Sequence, residues 1–266
     1  MTAIGVRDAS VWRGGRPILS SATIQIEAGQ LTAVLGPNGS GKSTLLRVLA
    51  GLWRPAGGAV TLGGRPLDAC SRRDVARRVS FLPQDTRCDF AFTVEELVSM
   101  GRHPHRGRFE VEGAADRGAV DAALARCDIT RLRGRTVDSL SGGERQRAAM
   151  ARCLATEPDV LLLDEPTAHL DLEHALVIFG LCRSLADRGQ TVAIATHDLS
   201  LAARYATRVV VLRAGRVVQA GLPEEVLTPA ACRDVFGVDA QVATTPTGRS
   251  ALIFDALERA SAGASA

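Results

Sequence analysis

The chain has 266 residues, 46% of them hydrophobic, and a formal charge of +3. That length fits one large domain or one domain with an inserted lobe; no apolar run approaches the roughly 18 residues a membrane helix needs, and the start lacks the apolar stretch of a signal peptide, so a cytoplasmic location is expected. Mild charge, dispersed arginines and a single tyrosine argue against nucleic acid as a partner, and six scattered cysteines without a Cys-x-x-Cys pair read as reduced thiols.

Residues 1–30 read as short alternating strands, and a further pair is expected around residues 59–62, between Gly57-Gly58 and Gly63-Gly64. Together they suggest an antiparallel layer. Residues 31–35 read as a buried strand and residues 44–50 as a helix with one apolar face. Between them stands Gly36-Pro37-Asn38-Gly39-Ser40-Gly41-Lys42-Ser43-Thr44, which fits the phosphate-loop pattern of Gly, four residues, Gly, Lys, Ser or Thr. Glycines let this backbone curl, so that consecutive N–H groups and the helix N-terminus point at phosphate oxygens. Lys42 is then expected to bridge the terminal phosphates and Ser43 to ligate magnesium. Lys42 is also the one lysine among 32 cationic residues. A compact charge on a flexible stem serves where a planar guanidinium does not.

Residues 78–83 form the next strand-like run, ending at Gln84. From Thr93 the pattern turns helical to about residue 154, opening on the capping box Thr93 to Glu96 and containing a second, Ser141 to Glu144. Strand-like runs at 159–163 and 191–196 stop at Asp164-Glu165 and at His197. Residues 209–212 and the turn Ala214-Gly215 follow, then helices beginning at Pro223 and Pro229, a hairpin around Pro246-Thr247-Gly248, and a tail of small residues, 260–266, expected to be disordered.

Strands alternating with helices imply a parallel sheet, which binds ligands beyond the carboxyl ends of its strands. The phosphate loop, Gln84, Asp164-Glu165 and His197 are therefore expected to converge. Neighbours on an extended chain point to opposite sides, so the two acids divide the work. Asp164 is expected to hold magnesium through its water shell, Glu165 to act as general base on the attacking water, and His197 to contact the terminal phosphate. The Gln84 amide reaches either metal or water.

Leu140-Ser141-Gly142-Gly143-Glu144-Arg145-Gln146-Arg147 is more than a capped helix, because its two glycines cost helix propensity and bare backbone donors at a positive helix end. The octet resembles the signature of the ABC ATPases, and it stands in that family's order between a Gln84 loop and a Walker B strand. Ala168-His169-Leu170-Asp171 resembles the D-loop. The resemblance covers about residues 5–235. It implies an α/β fold: a P-loop NTPase core with an antiparallel β layer (1–92 and 155–225), an inserted helical subdomain (93–154) and a C-terminal extension (226–266).

The resemblance further implies ATP and Mg2+ as ligands and a head-to-tail homodimer. In it ATP lies between the phosphate loop of one subunit and Ser141, Gly142, Gly143 and Asp171 of the other. The segment from Gln84 to Ser141 would pass motion to membrane subunits. The family stacks adenine on an aromatic residue before a glycine; here that place falls to Trp12 or to Arg13, ahead of Gly14-Gly15. Phe81-Leu82-Pro83-Gln84, Phe92-Thr93-Val94-Glu95-Glu96-Leu97-Val98, Gly101-Arg102-His103-Pro104-His105 and Thr167-Ala168-His169-Leu170-Asp171-Leu172 with His174 resemble the ATPases of iron-siderophore, haem and vitamin B12 importers. His103 and His105 read as a solvated loop. The expected partners are two copies of a polytopic permease and a periplasmic or lipoprotein substrate-binding protein, with the motor peripheral on the cytoplasmic face of the inner membrane. The rival from another class is a soluble ABC ATPase that scaffolds assembly.

Overall fold

The computed structural model describes residues 2–86, 91–107, 110–244 and 250–256. β1 (Thr2–Arg13) and β2 (Arg16–Glu27) form an antiparallel hairpin through Gly14 and Gly15, at φ 56° and 76°. A two-residue turn needs positive φ at both places, which glycine adopts at no steric cost. The sequence reads here as several short strands, yet the chain forms two of 12 residues each. Register shifts between Val6 and Ala9 and between Ala9 and Val11 break the alternation through bulges without ending the strand.

After β3 (Leu31–Leu35) and α1 (Lys42–Leu49), β4 (Gly57–Leu62) returns to pair with β1, and β5 (Arg65–Pro66) completes an antiparallel layer of order β2-β1-β4-β5. α2 (Arg72–Arg78) leads into β6 (Val79–Leu82), which is shorter than the expected run 78–83 because Pro83 has no N–H to continue the ladder. β7 (Val160–Asp164), β8 (Thr191–Ala195), β9 (Arg208–Arg213) and β10 (Arg216–Gly221) finish a second sheet of order β10-β9-β3-β8-β7-β6. All its neighbours run parallel except the edge pair β9 and β10.

β3, β7 and β8 are buried at every residue, as expected for parallel strands covered on both faces. In β7 the pleat divides them: Val160 and Leu162 join an apolar cluster with β1, β2 and α1, while Leu161 and Leu163 join a cluster made with the helices of the other face. Each leucine so buried contributes about 1.5–3 kcal/mol.

The second cluster is built from α3 (Val94–Ser99), α4 (Ala114–Arg126), α5 (Gly142–Ala155), α6 (Leu172–Asp187) and α7 (Leu199–Tyr205). α3 and α5 open on the two expected capping boxes: Thr93 and Ser141 each accept from the N–H of a glutamate three residues on, whose carboxylate accepts in return. Val120 and Leu124 of α4 share one apolar cluster with Leu161 and Leu163 of the sheet, so the packing of the helical lobe is continuous with that of the sheet.

Short helices α8 (Pro223–Val226) and α9 (Pro229–Ala231) start at the expected prolines, and a five-residue π turn, Cys232–Phe236, follows. β11 (Val238–Thr244) and β12 (Ser250–Ala256) pair antiparallel; the expected turn at 246–248 and the tail 260–266 lie outside the described residues. Among the described residues no helix is long and apolar enough to cross a membrane.

Candidate functional site

Strand order brings the chemistry together. β3, β8, β7 and β6 are consecutive neighbours and run parallel, so the phosphate loop, His197, Asp164-Glu165 and Gln84 leave the sheet along one edge. A cleft of about 660 Å³ opens there, lined by Ile18, residues 36–44, Gln84, Glu165, His197 and Phe236.

The loop is held by glycine at two crowded points. Gly36 has φ 150°, and a Cβ there would stand 2.2 Å from the Leu212 carbonyl oxygen and 2.6 Å from Ser40 Oγ. Gly41, the cap of α1 at φ 104°, would meet Leu19 Cδ2 at 2.8 Å. From behind, the Gly215 N–H donates to the Ser40 carbonyl at 3.0 Å. The loop amides are thereby presented at a helix N-terminus, where the backbone dipoles favour an anion. Lys42, 5% exposed, donates from Nζ to the carbonyls of Gly36 (2.9 Å) and Pro37 (3.4 Å) and lies 3.7 Å from Glu165 Oε1.

Beside it, Ser43 donates its hydroxyl to Asp164 Oδ1 at 2.8 Å. Asp164 is still within β7, paired with Ala195, and is fully buried; its Oδ2 has no hydrogen-bond partner, and Arg47 Nη2 lies 3.9 Å away. Burial pushes its carboxyl above the usual range, while the Ser43 hydroxyl and Arg47 pull it back. A buried carboxylate oxygen without a hydrogen bond, next to a hydroxyl at the phosphate loop, fits Mg2+. That ion takes oxygen ligands and is held by one or two carboxylates with substrate phosphates and water. No cluster of three or more His, Cys, Asp or Glu occurs among the described residues, so the phosphates would have to complete the shell.

Glu165 turns away from Asp164 by a left-handed backbone, φ 47°, an uncommon conformation for a side chain with Cβ. Its N–H donates to the Ala195 carbonyl at 2.9 Å, and its own carbonyl accepts from Ala168 at 3.1 Å. Its carboxylate is thereby aimed into the cleft, with Oε2 3.5 Å from Nδ1 of the exposed His197. Gln84 is exposed and lines the cleft.

The remaining expected residues lie elsewhere. Ser141 and Gly142 are exposed at the start of α5, Gly143 is buried, and Asp171 caps α6; none of the four lines the cleft of its own chain. Trp12 and Arg13 do not line it either: they close the β1–β2 hairpin opposite Pro17 and Arg16, and the Arg13 guanidinium lies 5.5 Å from the Trp53 ring centroid, which Arg47 also approaches at 5.3 Å. Ile18 is the residue of that hairpin that reaches the cleft.

Sequence reasoning missed Ile18, Arg47 and Phe236. Arg47 follows Lys42 on α1 and carried a weak signal as a cation near the loop; Ile18 and Phe236 carried none. His105 is structural, with Nε2 2.8 Å from the Thr156 carbonyl oxygen. All five cysteines among the described residues are free, and burial pushes the thiols of Cys127 and Cys182 up to about 12 and that of Cys153 to about 11.

A family model described as ABC transporter matches residues 19–168. The chain is 44% identical to the cobalamin import ATP-binding protein BtuD of Halobacterium salinarum over 98% of its length, and spans 65% of that longer relative. It is 43% identical to the hemin import ATP-binding protein HmuV of Streptomyces coelicolor, covering 90% of this chain and 85% of that one. Against the ferric enterobactin transport ATP-binding protein FepC of Escherichia coli K12 identity is 39%, over 90% and 89%. Among solved structures, an inward-facing ABC transporter of the metal-chelate type superposes with TM-score 0.83 at 28% identity, covering 96% of this chain and 98% of that one. The dimeric cassette MJ0796 bound to ADP and Pi gives 0.72 at 26%, covering 83% and 98%. With the family model matching more than half of the chain and these relatives spanning nearly all of it, the chain belongs to the ABC transporter family.

Proposed function

We propose that the chain is the ATP-hydrolysing motor of an ABC importer that takes up iron-siderophore or related iron chelates, acting as a homodimer on two copies of a polytopic permease. The observation that carries this reading is the single edge at which Lys42, Ser43, Asp164, Glu165, His197 and Gln84 meet. The loop amides and Lys42 bind the phosphates. Ser43 and Asp164 would hold Mg2+, which when bound would neutralise developing charge on the phosphate oxygens. Glu165 accepts a proton from the attacking water, and His197, adjacent to its carboxylate, orients that water against the terminal phosphate.

A coupling route leads away from the cleft. Thr86, two residues past Gln84, donates to Oε1 of the buried Gln146 on α5 at 3.1 Å. A groove of about 820 Å³ lies between the end of α1, α2 and α5, with Leu52 60% exposed at its rim and Trp53, Val75, Phe81 and Met100 along it. Arg73 and Arg77 donate to carbonyls of the segment from Pro104 to Arg106, of which Pro104 lines the groove. A cytoplasmic helix of the permease seated there would feel both the core and the lobe. A periplasmic or lipoprotein binding protein would deliver the cargo.

Relatives are named for cobalamin, hemin and ferric enterobactin, so haem and cobalamin are the competing cargoes. The test is ATP turnover by the motor and its co-purified permease in proteoliposomes, with ferric hydroxamate, haemin or cyanocobalamin on the binding-protein side. Stimulation by the ferric chelate alone supports the assignment; stimulation by haemin or cyanocobalamin reassigns the cargo. Recovery of the chain in mild detergent with no polytopic partner would favour a soluble assembly scaffold.

A further inference from the structure

His174 occupies the space that a side chain at position 143 would need. An ideal Cβ on Gly143 would lie 2.0 Å from His174 Cδ2, 2.5 Å from Nε2 and 2.6 Å from Cγ. The ring cannot simply swing aside, because it is anchored on its other edge: Nδ1 is 2.6 Å from Asp171 Oδ1, and the same oxygen accepts the His174 backbone N–H at 2.9 Å. Facing a carboxylate, Nδ1 carries the ring's proton as donor. Leu170 also reaches the signature turn, with Cδ2 3.9 Å from the Cβ position of Gly142. Through one imidazole, then, the first turn of α5 and the cap of α6 are in contact within a single chain.

We infer that His174 is a positioning residue that fixes the signature turn, Ser141-Gly142-Gly143, to Asp171, so that both move as one rigid edge, and that a side chain at position 143 is incompatible with that ring position. This rests on the motor reading above, in which that edge meets the nucleotide held by a second copy of the chain. A tetrahedral methyl at 143 displaces the ring, the ring releases Asp171, and the edge loses its fixed shape. The nucleotide cleft of the same chain contains neither His174 nor Gly143, so its own affinity for nucleotide is untouched by the loss.

The test compares Gly143→Ala, His174→Ala, His174→Asn and the double variant Gly143→Ala/His174→Ala, as purified full-length chain with Mg2+ and ATP. Gly143→Ala and His174→Ala are expected to lose turnover, and His174→Ala to bind a fluorescent ATP analogue as wild type does. The double variant should turn over no more slowly than the slower of the two single variants, since both changes act on one contact and are not additive. His174→Asn, whose amide can donate from the place of Nδ1, should stay near wild type. A double variant slowed by the product of the two single losses, or a fully active Gly143→Ala, overturns the inference. If Gly143→Ala fails to fold, the histidine pair decides: His174→Asn well above His174→Ala supports it, and equal rates contradict it. Absence of turnover in the wild type removes the motor reading and this inference with it, whereas wild-type turnover with additive losses in the double variant removes the inference alone.

Discussion

The Ser43 hydroxyl donates to Oδ1 of Asp164 at 2.8 Å, joining the phosphate loop to the end of β7 across 121 positions of sequence. The other oxygen of that carboxylate is buried with no hydrogen bond, so the protein holds a costly group in place for a ligand. Burial raises the folded Asp164 pKa above its unfolded value, and the sign follows from linkage. The folded chain holds this proton more tightly, so stability falls as pH rises from the unfolded pKa, about 4, through the raised folded value, and the full cost persists above it. Asp164→Asn removes the cost. In thermal unfolding without magnesium or nucleotide, the variant's midpoint should match wild type in acid and exceed it by a few degrees at neutral pH, while its magnesium-dependent turnover is lost. A midpoint difference that does not grow with pH would contradict this.

Lys42 offers a test by equal charge. Its ammonium is seated among the Gly36 and Pro37 carbonyls and Glu165, and it is 5% exposed. A guanidinium is planar and wider, and cannot aim three tetrahedral donors at that cup and at a phosphate. Lys42→Arg should therefore weaken ATP binding at least about tenfold and slow turnover by about a hundredfold, measured by nucleotide titration and phosphate release. Wild-type values in both would remove Lys42 from its role.

Arg102 makes a prediction about the lobe. It is 5% exposed and donates to Asp116 Oδ1 at 2.9 Å, to the Ala155 carbonyl at 2.7 Å and to Glu157 at 2.8 Å. It thus ties the end of α5 to α4. Arg102 and the Gly113 N–H hold the Asp116 carboxyl below its usual range. Arg102→Ala leaves Asp116 buried without its cation, and breaking such a pair costs about 3 to 5 kcal/mol. Urea unfolding should show a loss of that size, with nucleotide binding intact in the folded fraction; a loss within the noise of a surface substitution would contradict the assignment.

Much of this was legible in the sequence because the chemistry sits where regular patterns end. Apolar runs stopping at Gln84, Asp164 and His197 announced parallel strands, and the strand order then brought their ends together. The lone lysine marked the loop. The β1–β2 hairpin was less legible, since bulges near Asp8 and Ser21, at φ 52° and 50°, erase the period of two that identifies a long strand. Contacts such as His174 against Gly143, or Phe236 on the cleft wall, join segments far apart in the chain by side-chain shape alone, and no periodicity encodes them. Ile18 carried no pattern for a related reason: the turn at Gly14-Gly15 brings it, across the hairpin from Trp12 and Arg13, against the loop.

The measurement that bears most directly on the whole account is the Glu165→Gln variant, assayed for ATP retention, dimer formation and phosphate release in one experiment. Glu165 lies between Lys42 Nζ at 3.7 Å and His197 Nδ1 at 3.5 Å, placed there by its left-handed backbone. The amide keeps the shape and removes the base. The account predicts ATP held in a closed dimer with turnover reduced at least about a hundredfold. Hydrolysis at the wild-type rate by Glu165→Gln would contradict it.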